Sequence, residues 1–227
     1  MAKKVVFCTP SLSGPTAPYI KALEDSIPLI KAAGWQEGYV QMIASPYISA
    51  ARATMLRSAI DANADVVVFI DYDVSWRPED LLTLIETEGD VVAGTYRCKI
   101  DEELYMGTWE TNPDFTPKVR ADGAISAKLV PAGFLKVTTE AVDRFMVAYP
   151  ELCYGPMYHL AVDLFNHGVH ERVWWGEDYS FARRWKDKCG DIWLIPNLNI
   201  DHNAGDKVYA GNVHKFLLKQ PGGSEAR

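Results

Sequence analysis

The run ADVVVFI, residues 64–70, leads straight into DYD, residues 71–73. Its apolar residues follow one another without the alternation of a half-exposed strand. The stretch therefore predicts a strand covered on both faces. Such a strand needs helices above and below it and other strands at its sides. Asp71 and Asp73 then stand where the strand stops, and alternate residues of an extended chain point the same way. Two carboxylates so placed repel each other unless water screens them or a cation lies between them.

The flanking segments supply the layers that this strand requires. Residues 4–10, 39–45 and 90–96 read as further strands, and helical patterns over 19–33, 49–62 and from Pro78 onward alternate with them. Pro28 predicts a bend in the first helix, Gly34 its end, and Ser49 the cap of the second. Pro78 followed by Glu79 and Asp80 is a helix opening, with proline in the first turn and acids at the positive end of the dipole. Strand–helix alternation over the first ~95 residues predicts a parallel sheet wrapped by helices.

After residue 97 the pattern changes. Short strand-like runs at 105–109 and 124–130 precede helices at 139–148 and about 176–188 and a strand at 191–196. No repeat, low-complexity run or linker divides the chain. At 227 residues the expectation is one α/β domain over 1–220, in two halves of about 1–96 and 97–220, with a flexible tail at 221–227.

The net charge of −7 argues against a surface built mainly for phosphate backbones. RRWKDK (183–188) and HKFLLK (214–219) remain as local basic stretches, or as ordinary solvated helix faces. Cys8, Cys98, Cys153 and Cys189 stand far apart with no CxxC pair, which reads as reduced thiols in a cytoplasmic protein. No apolar run reaches the ~20 residues of a membrane span, and the N-terminal run is too short for a signal peptide. No membrane anchor is expected.

Ligands in open α/β sheets bind beyond the carboxyl ends of the strands. Asp71 and Asp73 sit there, able to converge on a hard divalent cation, or to form an acidic turn that caps the next helix through Asp73 or Ser75. Arg52, early in its helix, faces the same strand ends and can pair with a phosphate; taken alone it reads as a surface arginine. Trp174 and Trp175 precede Glu177 and Asp178. Their rings can stack on a sugar or pack in the core, and core is the expectation for one of them. A carboxylate against an apolar wall has a raised pKa, which suits a general base. In IDHNAGDKVY (200–209), His202 can complete a site with Asp71 and Asp73, and Lys207 can meet phosphates. Two carboxylates and an imidazole suit Mn²⁺, with Mg²⁺ as the harder alternative.

The order of TPSLSG, an AR segment, DYD, PAGF, GED and DHxxG, from about residue 4 to 209, resembles the family-2-like nucleotide-sugar glycosyltransferases of the GT-A fold. The resemblance implies a single-domain, Rossmann-like mixed sheet with helices on both faces. It implies a metal-dependent enzyme that moves a sugar from a nucleoside-diphosphate sugar, a UDP-sugar by preference, to an acceptor hydroxyl. By the same resemblance Asp73 first and Asp71 second bind the metal, and His202 is the third ligand. Arg52 lies near the diphosphate, and Thr9, Pro10 and Ser11 line the base pocket. PAGF (131–134) lies between donor and acceptor. Asp178 acts as base in an inverting reaction, with Glu177 holding the acceptor or backing up the base. Two departures stand out: Ala53 replaces the asparagine usual after the arginine, and Lys207 falls one residue early for the HxxGxxKP of retaining members, with no proline after it. Inversion is slightly favoured, because GED precedes an ordinary helix and the lysine motif is imperfect; in a retaining reaction Asp178 would be a positioning group.

Residues 97–125 and 150–173 are expected to face the acceptor, and no motif in them names it. A glycan, a small molecule or a modified DNA base such as a hydroxymethylated one all fit, and neither sugar, base nor oligomeric state is legible. Two other readings compete. A haloacid-dehalogenase-like phosphatase would use Asp71 as nucleophile, but its DxD closes the first strand of the domain, and here a βαβα segment precedes it. A non-catalytic carbohydrate-binding protein would draw on the seven tryptophans and eleven tyrosines. A sugar nucleotidyltransferase would need a basic, glycine-rich loop after the first strand, and SLSGPTAP has no basic residue.

Overall fold

The structure, a computed structural model, describes residues 2–219; the tail expected at 221–227 lies outside them. Strands β1 (Lys4–Ser11), β2 (Gln36–Ile43) and β3 (Val66–Ile70) alternate with helices α1 (Ala17–Ala32) and α2 (Ile48–Asp61). There follow β4 (Val74–Trp76), α3 (Pro78–Glu86), β5 (Val91–Ala93), β6 (Thr108–Trp109), β7 (Ile125–Leu129), β8 (Phe134–Thr138) and α4 (Thr139–Ala148). The last third holds β9 (Cys153–Tyr154), β10 (Ala161–Val162), β11 (Gly168–His170), β12 (Val173–Trp175), α5 (Glu177–Lys188), β13 (Ile192–Leu194), β14 (Ile200–Ala204), β15 (Lys207–Tyr209) and α6 (Val213–Leu218).

Eight strands make one mixed sheet in the order β2-β1-β3-β8-β5-β13-β7-β6. Strand β1 lies parallel between β2 and β3. Strand β8 then runs antiparallel between β3 and β5, and β13 is parallel to β5. The expected parallel succession thus holds for β1 to β3 and is broken by β8. That strand was missed because GFLKVT carries a lysine at its centre. The side chain of Lys136 is nevertheless buried, its ammonium donating to the carbonyls of Ile85 at 2.9 Å and Thr87 at 2.5 Å, where α3 ends. A cation on the last carbonyls of a helix complements the dipole.

Period-two alternation in β1 and β3 divides the core in two. Val5, Phe7, Val66, Val68 and Ile70 face α1 and α3, where Tyr19, Ile30, Leu81 and Leu84 meet them. Val6, Cys8, Val67 and Phe69 face the other way, with Met55 and Leu56 of α2, Phe145 of α4 and Phe181 and Trp185 of α5. This double burial is why β3 reads as an unbroken apolar run.

Capping is distributed differently from the expectation. Thr16 caps α1, and Pro28 lies inside that helix, which continues to Ala32. Ser49 does not cap α2: it is buried within the first turn, and the residue at the cap, Tyr47, makes no side-chain capping bond.

A second, three-stranded sheet, β15-β14-β4, stands at the carboxyl end of β3. Strand β14 pairs antiparallel with β4, with Ile200 opposite Trp76 and His202 opposite Val74. Asn203 donates both its backbone N–H, at 2.8 Å, and its side-chain Nδ2, at 3.0 Å, to the carbonyl of Asp73. Residues far apart in sequence are thereby fixed beside the DYD segment. Among the described residues, no helix is long and apolar enough to cross a membrane.

Phe145 is wholly buried between α4 and α5, in ring contact with Tyr149 and Phe181. Phe145→Ala is expected to lower stability by about 3–5 kcal/mol, the range for a large core truncation. Urea unfolding should show a lower midpoint at unchanged slope. An unmoved midpoint would contradict this packing.

Candidate functional site

Strand β3 ends on Asp71, whose backbone N–H donates to the carbonyl of Gly133 at 3.0 Å. Its carboxylate is fully engaged. Oδ1 accepts from Arg52 Nη2 at 2.8 Å, and Oδ2 accepts from the Tyr96 hydroxyl at 3.1 Å. Gly133 packs so closely that a Cβ there would collide with this hydroxyl and carboxylate, which explains the glycine in PAGF.

Arg52 projects from α2 and is only 1% exposed. Its Nη1 donates to Glu177 Oε1 at 2.5 Å, and its guanidinium lies over the Phe165 ring at 5.3 Å. Burial works against the charge, and Asp71 and Glu177 more than restore it. In this structure the arginine expected beside a diphosphate is paired with protein carboxylates: each terminal nitrogen donates to one of them, which joins the end of β3 to the start of α5.

Asp73, at 8% exposure, has a different set of partners. Its Oδ2 accepts from the Lys99 ammonium and lies 3.7 Å from His202 Nε2. Burial opposes its ionisation, but His202 and Lys99 override this and hold the carboxyl below its usual range. His202 Nδ1 is 2.8 Å from the carbonyl of Arg97. A carbonyl only accepts, so Nδ1 carries a proton, and in the neutral ring the Nε2 lone pair is directed to the Asp73 side. Tyr96 buttresses the imidazole edge-on, with ring centres 4.9 Å apart.

The expected ligand set of Asp71, Asp73 and His202 is thus divided. Asp73 and His202 come together, while Asp71 is held by Arg52 and Tyr96. Among the described residues no group of three or more histidine, cysteine, aspartate and glutamate side chains is arranged to hold a metal ion. The pair that remains, one carboxylate oxygen and one imidazole whose other nitrogen is fixed by a backbone carbonyl, fits a divalent cation that takes its further ligands from a bound diphosphate and water.

Glu177 and Asp178 open α5. Glu177 is committed to Arg52, whereas Asp178 accepts only the neighbouring Tyr179 backbone N–H, at 2.7 Å. Burial, and after it the charge of Glu177, push Asp178 up to about 6. The two acids of GED therefore do different work, one as a positioning group and one as a carboxylate with an oxygen to spare.

A cavity of about 270 Å³ opens beside the DYD segment, lined by Pro10, Ser11, Met42 and Ile48 together with Asp71, Asp73 and His202. Thr9 does not line it. That residue is buried one layer down with its hydroxyl on that of Tyr19 at 2.5 Å, because strand alternation turns it away from Pro10. Lys207 is also absent from the cavity. Its ammonium pairs with Asp101 at the surface and lies over Tyr209 at 4.7 Å. The β14–β15 turn at Gly205, with φ of 61°, carries it there. Neither tryptophan of the hairpin packs in the core: Trp174 is 68% exposed, and Trp175 lies under the Arg183 guanidinium at 4.1 Å.

Sequence reasoning missed Tyr96, Arg97 and Lys99. Their signal was GTYRCK directly after a strand. Leu135 of β8 pairs with both Phe69 of β3 and Ala93 of β5, so the two strands end level and their following residues meet. With β8 unread, that alignment was invisible.

No protein-family model matches the sequence, and no curated protein matches it. Solved structures do match the fold. A197 from STIV is similar over 92% of this chain and 94% of its own, at 17% identity and a TM-score of 0.52. GalNAc-T7, crystallised with UDP, GalNAc and Mn²⁺, is similar over 90% of this chain and 43% of its own, at 9% identity and a TM-score of 0.52. S. aureus TarS in complex with UDP overlaps over 95% of this chain and 66% of its own, at 13% identity and a TM-score of 0.47. The mixed eight-stranded sheet with helices on both faces is the GT-A fold, as the sequence resemblance implied.

Removing Arg52 strands two carboxylates in a nearly dry site. Arg52→Met is expected to cost about 3–5 kcal/mol by urea denaturation, as for breaking a buried ion pair from one side. Arg52→Lys should lie between Met and wild type, since an ammonium lacks the fork that reaches both acids. Wild-type stability in the Met variant would contradict the role given to Arg52.

Proposed function

We propose that this protein is a glycosyltransferase that moves a sugar from a nucleoside-diphosphate sugar, a UDP-sugar in the first instance, to an acceptor hydroxyl with the help of Mn²⁺ or Mg²⁺. One observation carries the reading: Asp73 and His202 converge at the mouth of a cavity whose other wall is Pro10 and Ser11, beyond the carboxyl ends of β1 and β3. The similar fold of GalNAc-T7, crystallised with UDP, GalNAc and Mn²⁺, supports it.

Pro10, Met42 and Ile48 give the nucleoside an apolar wall, with the Ser11 hydroxyl as a polar contact. Asp73 and His202 hold the divalent ion that, when bound, withdraws charge from the departing diphosphate, an effect worth several kcal/mol. Asp71 acts indirectly. Held by Arg52 and Tyr96, it fixes the turn from which Asp73 projects.

Asp178 serves as the base that takes the proton from the acceptor hydroxyl as it attacks the anomeric carbon, which gives inversion. Its pKa of about 6 keeps it ionised at neutral pH and more basic than an ordinary carboxylate. Glu177, with its Oε1 bonded to Arg52, sets the start of α5. The acceptor approaches from the side of residues 97–125 and 150–173.

A phosphatase that uses Asp71 as nucleophile is disfavoured by the same geometry. Both oxygens of that carboxylate accept hydrogen bonds, and the strand it closes is the third in sequence. A non-catalytic sugar binder is separated from the enzyme by hydrolysis of the donor in the presence of Mn²⁺.

A thermal-shift screen of nucleoside diphosphates with and without Mn²⁺ is expected to show stabilisation by UDP that depends on the metal. Asp73→Asn should abolish that metal dependence and lower turnover steeply. Retention of both would remove Asp73 from the mechanism.

Asp178→Asn should slow transfer by about 10²–10⁴-fold while leaving UDP binding intact. In the wild type the rate should rise with pH through about 6 and level off above, because the base works ionised. Linkage gives the opposite sign for folding. With its pKa raised from 3.8, Asp178 contributes stability that is present at low pH and lost as pH rises through about 6. A flat pH–rate profile, or loss of UDP affinity in Asp178→Asn with single-turnover transfer intact, would exclude it as the base.

A further inference from the structure

Lys99 has no part in the reading above, yet its ammonium and His202 Nε2 approach the same oxygen, Asp73 Oδ2. We propose that Lys99 is a built-in counter-ion of this site, holding Asp73 while no metal is bound and giving it up when a divalent ion and a nucleoside diphosphate arrive together. The inference rests on the metal-binding role given to Asp73 and His202.

Each acid of the DYD segment has its own cation, and the two cations differ in how readily they can leave. Arg52 is buried and shared between Asp71 and Glu177, so its departure would strand two anions. The Lys99 side chain is 36% exposed, and its one ion pair among the described residues is with Asp73. A single, partly exposed pair of this kind is weak. The backbone that leads into Lys99 is fixed, by the Arg97 carbonyl on His202 at 2.8 Å and by the Cys98 N–H on the carbonyl of Leu104 at 2.8 Å. Only its flexible stem has to move, and its ammonium is a mobile point charge.

The consequence is a coupling between ligands. An ion that arrives alone must evict an ammonium that has nowhere better to go. With a diphosphate present, the released ammonium has a new anion beside it. Metal and nucleotide therefore strengthen each other's binding, by the same factor in both directions. Lys99 also keeps Asp73 oriented between turnovers without a resident metal.

The test is a Mn²⁺ titration followed by the electron paramagnetic resonance signal of the free ion, on intact protein without nucleotide. Lys99→Met, which keeps the stem and removes the charge, is expected to bind Mn²⁺ about tenfold more tightly than wild type, equivalent to ~1.4 kcal/mol. Lys99→Arg should stay near wild type. With UDP present the advantage of Lys99→Met should shrink towards none. Adding Asp73→Asn to Lys99→Met should abolish the gained affinity. Equal or weaker Mn²⁺ binding by Lys99→Met, alongside measurable binding by wild type, overturns the part given to Lys99 and leaves the metal pair standing. No Mn²⁺ binding by any form, with or without UDP, overturns the metal reading and this proposal with it.

Discussion

A guanidinium taken out of water must be answered by anions, and Arg52 is answered twice. Its partners come from the end of β3 and the start of α5, so one buried charge joins the two segments on which the chemistry depends. Its Nε is buried without a partner among the described residues, and the face of the group rests on Phe165. Such an arrangement is weak evidence for net stability, because desolvation of three charged groups offsets much of their attraction. What it does supply is position. Asp71 is held at the cavity wall and Glu177 at the start of α5.

The acids at this edge of the sheet therefore separate into two kinds. Asp71 and Glu177 are spent on Arg52, while Asp73 and Asp178 keep oxygens free for ligands. Their surroundings drive the free pair apart: Asp73 is held below the usual carboxylate range by His202 and Lys99, and Asp178 is pushed above it by burial and Glu177. On the proposed function two carboxyl groups of one fold suit different tasks, one to remain anionic beside a cation and one to accept a proton. A motif such as DxD names the residue types without saying which member does what. The partners of each carboxylate decide that.

How much of this was legible in the chain follows from where the information resides. The unbroken apolar run of 66–70 announced a strand buried on both faces, and Pro78 with the acids after it announced α3 locally. Asp73 and His202 were expected side by side from the resemblance, and they stand 3.7 Å apart. The fate of Asp71 was not legible, since it depends on Tyr96, 25 residues away in sequence, and on Arg52 being buried rather than exposed. Lys99 was missed because its approach to Asp73 requires β8 to align the ends of β3 and β5, and β8 hides behind a buried lysine. Thr9 and Lys207 were misplaced for simpler reasons. One lies on the inward side of an alternating strand, and the other follows a left-handed glycine turn that carries it to the surface.

The central claim is that the oxygen of Asp73 and the Nε2 of His202, 3.7 Å apart, form the protein's half of a metal–diphosphate site. A crystal soaked with Mn²⁺ and UDP, measured at the manganese absorption edge, tests it most directly. An anomalous peak between these two atoms, with the diphosphate on its far side and the uracil against Pro10 and Ser11, is the predicted result. A nucleotide bound there with no anomalous peak, or a peak coordinated by other residues, would contradict it.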